Sequence, residues 1–149
     1  QERTLDFRIW PQEVELQYAS HAKLLIIFEM GRWDFVWRTG WSKIMNEEKA
    51  TPVAGSLMAK YLRPLRRFDS LTVKTQILGW DEKYFYLSQK AYSEEKLAML
   101  LVVKIGLIGK GKKSTPAECM KKLGHTGMDS SQIEFIEKYR DTDRMFKAL

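Results

Sequence analysis

Cysteine is nearly absent from this chain: Cys119 is the only one. No intrachain disulfide can form, and no zinc site built on several cysteines is available. This permits a reducing compartment without requiring one. Histidine is almost as scarce, and His21 and His125 stand too far apart in sequence to suggest a metal site. No apolar run is long enough to cross a bilayer, since the most apolar stretch is broken by Glu29, Gly31, Arg32 and Asp34. Internal repeats and low-complexity tracts are missing. There is no Gly-x-Ser-x-Gly elbow, no phosphate-binding loop and no dinucleotide fingerprint. Nucleic-acid binding has only charge and aromatics in its favour, without a groove or stacking motif.

What remains is an ordinary globular composition. The 149 residues are 44% hydrophobic and 30% charged, enough for one domain with a sizeable core. The net charge of +6 favours anionic partners such as phosphorylated cofactors or acidic surfaces. Basic residues cluster at Arg63/Arg66/Arg67 and Lys110/Lys112/Lys113. For most of the cations a solvated surface is the simpler reading. The chain begins at Gln1 rather than Met, which fits a removed leader or an incomplete start. Mitochondrial import and a cytoplasmic location are both compatible with this.

The segment 20–40 organises the rest. It is apolar nearly all round, which predicts a buried helix, with Ser20 as N-cap and Gly40 as stop. Before it, residues 4–9 alternate as a half-buried strand that ends at Trp10-Pro11, and residues 12–18 form an acid-bearing connection. After it come a short polar helix or loop over 41–49, broken by Thr51-Pro52, and a strand over 53–62. The turn 63–69 leads into strands over 70–80, 84–93 and 97–108, joined by tight turns. Thr115-Pro116-Ala117-Glu118 opens a helix with a capping box. A last helix starts at Asp129 or Ser130, with Ile133, Phe135, Ile136, Met145 and Phe146 as its expected apolar stripe. The order implies an α+β architecture, a curved antiparallel meander around one long helix.

Several residue strings carry a family likeness. Ile9-Trp10-Pro11-Gln12-Glu13-Val14-Glu15-Leu16, Glu29-Met30-Gly31-Arg32-Trp33-Asp34, residues 61–69 and residues 78–86 together resemble the thioesterase-like superfamily of acyl-CoA thioesterases. The resemblance implies the hotdog fold: a curved antiparallel sheet wrapped around one central helix over residues 1–124, followed by a C-terminal helical extension over 125–149. It also implies a homodimer or another hotdog-type oligomer, with sheets joined edge to edge. The substrate would be an acyl-CoA or another acyl thioester, with coenzyme A as part of the substrate and no separate cofactor or metal. The chain departs from the family where two aspartates and a His-x-Asn-Asn element are usual. Here the acids are Glu13 and Glu15, and the next element reads Tyr18-Ala19-Ser20-His21.

Thioester hydrolysis needs a carboxylate to activate water or attack the carbonyl, and donors for the developing oxyanion. Glu13 and Glu15 precede a helix N-terminus whose N–H groups, around Ser20 to Ala22, can supply those donors. An extended loop would point the two acids to opposite sides, so one would serve; the plainer alternative is a pair of solvated carboxylates. His21 can orient water or donate to the carbonyl, or simply bond to backbone. Glu29 can act as a helix carboxylate, or be held by a partner such as Arg32. Arg63, Arg66 and Arg67 can meet the phosphates of coenzyme A, or form a charged turn. Trp33, Trp37 and Trp41 recur at a spacing that suits core or dimer packing, and His125 reads as a surface residue. The competing function is a catalytically inactive hotdog domain that serves as a structural or binding subunit of a larger assembly, for which the segment after Gly124 is a natural contact element.

Overall fold

The structure is a computed structural model that describes residues 2–15, 17–111 and 114–149, with backbone alone for 13–15. Lys112 and Lys113, half of one expected basic cluster, lie outside the described residues. In chain order the elements are β1 (Glu2–Arg8), a 3-10 turn (Pro11–Glu13), β2 (Val14–Glu15), β3 (Tyr18–Ala19), α1 (His21–Arg38) and α2 (Trp41–Glu48). Then follow β4 (Ala50–Tyr61), β5 (Ser70–Trp80), β6 (Phe85–Ser93), β7 (Lys96–Gly109), α3 (Pro116–Lys122) and α4 (Ser130–Lys147). The main sheet is antiparallel and five-stranded, in the order β1-β5-β6-β7-β4, while β2 and β3 form a small hairpin. The sheet order puts the first strand at one edge, beside β5, with Leu5 opposite Val73 and Phe7 opposite Leu71.

Two compact units interleave along the chain. The first comprises Gln1–Thr39, Met58–Gln76 and Ser88–Val102. Its core sets Leu24, Ile27, Phe28 and Phe35 of α1 with Leu71 and Val73 of β5, Ala91 of β6 and Met99 and Leu101 of β7, all buried. Gly31 is what lets the helix come so close. A Cβ there would stand 3.2 Å from Val73 Cγ1 and 3.3 Å from Gln89 Nε2. Ser20 caps α1 as its composition predicts, its hydroxyl accepting from the Lys23 N–H at 3.2 Å. At the other end Gly40 takes φ +82°, the left-handed turn that glycine allows.

Burial of α1 is one-sided, which corrects the expectation of a helix enclosed all round. Ile26, Met30, Trp33 and Trp37 fall on one face and are exposed, Trp37 by 66%. The sheet of this unit reaches only the face of Leu24, Ile27, Phe28 and Phe35, and uniform apolarity carries no signal about which face that is.

The second unit comprises Gly40–Leu57, Ile77–Leu87 and Val103–Leu149. Here Trp41 of α2 packs edge-on against Phe85, ring centroids 4.6 Å apart. The polar-looking segment 41–49 is therefore an amphipathic helix that buries Trp41, Ile44 and Met45. Strand β4 starts earlier than expected and runs straight through Thr51 and Pro52. Proline is accommodated because β4 is an edge strand, where its missing N–H costs no ladder bond. Both C-terminal helices have capping boxes: Thr115 with Glu118, as its sequence announces, and Asp129 with Gln132, which decides between Asp129 and Ser130 as the start of α4.

Of the stripe expected on α4, only Ile136 is buried; Tyr139 of the same helix is buried as well, and Met145 and Phe146 are exposed by 73% and 75%. The inward face continues in charge rather than in carbon: Arg140 lies 3.6 Å from Asp81, and Lys104 donates to Asp143 at 2.7 Å. His125 is half-buried at the surface. Its N–H donates to the Met120 carbonyl at 2.9 Å, and burial lowers the imidazole pKa. Cys119 is fully buried, which pushes its thiol up to about 11.

Where β5 passes α4, Gly79 leaves no room for a side chain: a Cβ would overlap Ile136 Cδ1 and lie 2.6 Å from Met128 Sδ. Gly79→Ala is expected to destabilise the fold by about 1–3 kcal/mol in urea unfolding, while Gly127→Ala, with open space around it, stays within about 0.5 kcal/mol of the parent.

Candidate active site

The N-terminus of α1 follows the β2–β3 hairpin with only Ser20 between them. The hairpin pairs Val14 with Ala19 and Glu15 with Tyr18. The acid-bearing segment is extended only in part: Glu13 closes the 3-10 turn and Glu15 ends a two-residue strand. Their side chains lie outside the described residues. In the first turn of α1 the Lys23 N–H is taken by Ser20, while those of His21 and Ala22 have no partner within the helix itself. The partial positive charge of the helix end sits here as well. His21 is exposed, and its ring meets Tyr61 edge-on with centroids 4.3 Å apart at 83°.

Backbone bonds fasten the arginine turn to this region. Leu65, buried among exposed neighbours, accepts from the Ala19 N–H at 2.7 Å. The Ile9 N–H donates to the Asp69 carbonyl at 2.9 Å, and the Phe68 N–H donates to the Ile9 carbonyl. Asp69 folds its carboxylate back onto the Arg66 N–H at 2.8 Å. Arg63, Arg66 and Arg67 all point into solvent, with the Arg66 guanidinium 5.9 Å from the centre of the Tyr18 ring.

Glu29 is exposed and lies two turns along α1 from His21, roughly 12 Å along the axis. Arg32 has a different hydrogen-bond partner from the one expected. Its guanidinium donates to Gln89 Oε1 at 2.8 Å, and Gln89 Nε2 donates to the Phe28 carbonyl at 2.9 Å and to Thr75 Oγ1 at 3.0 Å. Burial lowers the Arg32 pKa, opposed by the charge of Glu29. The structure therefore brings together Ser20, His21 and Ala22 and ties Arg63, Arg66 and Arg67 to the same hairpin; Glu29 stands apart.

Gln89 and its network are what the sequence reading missed. Nothing in the string Ser88-Gln89-Lys90 marks the amide as buried, because its neighbours in the strand are polar as well. Also missed was a polar cavity of about 340 Å³ in the second unit, with Asp81, Tyr86, Lys104, Arg140 and Asp143 among its lining residues. Its charges are matched internally. Tyr86 donates to Asp81 at 2.7 Å, Asp81 also accepts from the Lys83 and Tyr84 N–H groups at 2.8 Å, and Tyr139 pairs with Ser56 at 3.1 Å. Burial, then the bond to Asp81, raise the Tyr86 pKa well above the usual phenol value.

Similarity to known proteins agrees with this geometry. The model of the thioesterase-like superfamily matches residues 13–135, most of the chain. The chain belongs to the thioesterase-like superfamily. Its fold is the hotdog fold, shared with YbaW of Escherichia coli, a probable thioesterase: TM-score 0.74 at 21% identity, over 80% of this chain and 95% of that one. A Staphylococcus aureus hypothetical protein solved in complex with CoA matches with a TM-score of 0.71 at 20% identity, over 89% of this chain and 92% of its own. A Thermus thermophilus thioesterase complexed with coenzyme A and zinc gives a TM-score of 0.68 at 14% identity, over 80% and 89%. Among curated proteins, Protein THEM6 of Xenopus laevis is 22% identical over 138 residues, 90% of this chain and 66% of that protein. Its Danio rerio namesake is 31% identical over 77 residues, 52% and 38% respectively. The chain thus spans less than two thirds of the length of the curated relatives it matches.

Two measurements probe these networks. Gln89→Ala removes the acceptor of Arg32 and opens a void under α1, with an expected loss of about 2–4 kcal/mol in denaturant unfolding. Lys104 holds the Asp143 carboxyl below its ordinary value, so the pair stabilises the fold above the unfolded-state pKa of 3.8 and loses that contribution as pH falls through the lower folded value. The stability difference between the parent and Asp143→Asn is therefore expected to be flat above about pH 5 and to shrink below about pH 4.

Proposed function

We propose that this protein is a thioester hydrolase acting on acyl-CoA. The observation that carries the reading is the first turn of α1, opening directly behind an acid-bearing hairpin. In this reading the thioester carbonyl lies at that helix end. Glu13 or Glu15 takes a proton from water or attacks directly, and the N–H groups around Ser20 to Ala22 receive the oxyanion. Water adds to the carbonyl carbon, the C–S bond breaks, and the departing thiolate takes up the proton. His21, steadied on Tyr61, stands beside the same helix end as a donor to carbonyl or water. The acyl chain runs along the open face of Ile26, Met30 and Trp33, and Arg63, Arg66 and Arg67 meet the nucleotide end. Coenzyme A in the complexes of two similar structures supports that substrate class.

The oligomer proposed is a homodimer. Strand β4 is a sheet edge with Val53, Leu57, Met58 and Tyr61 exposed, the kind of edge a second copy covers. Light scattering after size exclusion is expected to give a dimer for the parent, and a monomer for Leu57→Asp.

The deciding experiment is hydrolysis of short, long and aromatic acyl-CoA thioesters, followed by free thiol release, with Glu13→Gln/Glu15→Gln alongside. Turnover in the parent and a loss of about a hundredfold or more in the variant is the expected result. Turnover in both moves the chemistry to Glu29 or His21. No turnover from a folded, dimeric protein replaces the hydrolase with a non-catalytic subunit of a larger assembly.

A further inference from the structure

The ion pairs around the polar cavity of the second unit fill its acids and leave its bases with donors to spare. Asp81 accepts at one oxygen from the Lys83 and Tyr84 N–H groups and at the other from the Tyr86 hydroxyl. Asp143 accepts from Lys104, whose ammonium also lies 4.1 Å from the centre of the Tyr84 ring. Little lone-pair capacity remains for a cation or a neutral donor. The bases differ. Arg140 stands 3.6 Å from Asp81 and 3.6 Å from Glu82, near enough for charge to count but too far for hydrogen bonds, so its guanidinium donors are unspent. Arg144, one turn further along α4, meets only Asp141, at 3.9 Å. The Lys83 ammonium has no ion-pair partner among the described residues.

Unspent guanidinium forks around a concavity recognise carboxylate and phosphate groups. Arg140 and Arg144 stand about 6 Å apart along the helix axis, so each can receive one such group. Lys83 lines the same space from the turn between β5 and β6. A volume of about 340 Å³ falls at the lower end of the roughly 300–1,000 Å³ that small-molecule sites occupy. The charged lining shuts out an acyl chain. We propose that the cavity lined by α4, β7 and the turn after β5 binds a small dianion whose two charged groups are carboxylates or phosphates. Arg140 and Arg144 hold one group each, and Lys83 adds its charge from the turn. Glu82, whose side chain is 82% exposed, releases Arg140 into water as the ligand enters. This goes beyond the thioesterase reading. The cavity belongs to the second unit, whereas the first turn of α1 and the arginine turn belong to the first.

The test is calorimetric titration at fixed ionic strength with succinate, which carries two carboxylates, and with 3-phosphoglycerate, which carries a phosphate and a carboxylate. One-to-one binding of at least one of them by the parent is expected, and the tighter of the two names the group the forks prefer. Lys83→Gln/Arg144→Gln changes exposed side chains that the fold does not use, and is expected to lose about tenfold in affinity. Arg63→Gln/Arg67→Gln removes the same net charge from the arginine turn and is expected to bind as the parent does. Glu82→Gln frees Arg140 from a competing carboxylate and is expected to bind about threefold more tightly. No binding of either dianion overturns the site. So does an equal loss in the two double variants, which reduces the effect to overall charge, or a loss in Arg63→Gln/Arg67→Gln alone, which moves the anion to the arginine turn. Inorganic phosphate or neutral succinamide binding as tightly as the dianions overturns it too, as does a Glu82→Gln variant that gains nothing. Thioester turnover is read separately and bears on neither result.

Discussion

The close approach of α1 to β5 and β6 at Gly31 is the constraint on which the first unit depends. With a methyl group at this position, Val73 and Gln89 would have to give way. Because they do not, Gln89 can sit wholly out of water and bridge the Phe28 carbonyl, Thr75 and Arg32. A buried amide with its partners in place contributes orientation as much as energy, since leaving any of them unpaired costs about 1–3 kcal/mol. The helix is thereby fixed against the sheet in one register. Its N-terminal turn, with Ser20, His21 and Ala22, inherits that position.

From there the candidate site is assembled by backbone rather than by side chains. The hairpin ends at Ala19, whose N–H holds the arginine turn through Leu65, and Ile9 holds the far end of the same turn through Phe68 and Asp69. Polar chemistry at the surface is thus moored by one buried leucine and a few main-chain bonds. In the second unit the arrangement is reversed. There the charges face inward, and Arg140 and Asp143 bind α4 to the turn after β5 and to β7.

Much of this was legible in the residues. Strand β5 falls where alternation puts it, and the caps at Ser20 and Thr115 are where their side chains predict, because both signals are local. Pro52 misled because the cost of proline depends on whether its strand is an edge, which is a property of the sheet order. The exposed face of α1 was hidden for the converse reason: Ile26 and Trp37 read like core residues in any window, and only the extent of the sheet reveals that they stay exposed among the described residues. Family likeness named the acids, the helix end and the arginines. It was silent on Gln89, whose role comes from burial.

Pro52 has a consequence at the opposite level of organisation. A strand laid against the outer edge of β4 would find carbonyls and N–H groups in alternation along most of its length, but at residue 52 the donor is missing. The edge therefore carries its own punctuation. Hydrogen-bonded addition is confined to the stretch after the proline, where Val53, Leu57, Met58 and Tyr61 are exposed, and sliding past that point forfeits a bond. A single imino acid sets a phase for any strand that joins, by silence at one position instead of attraction at another.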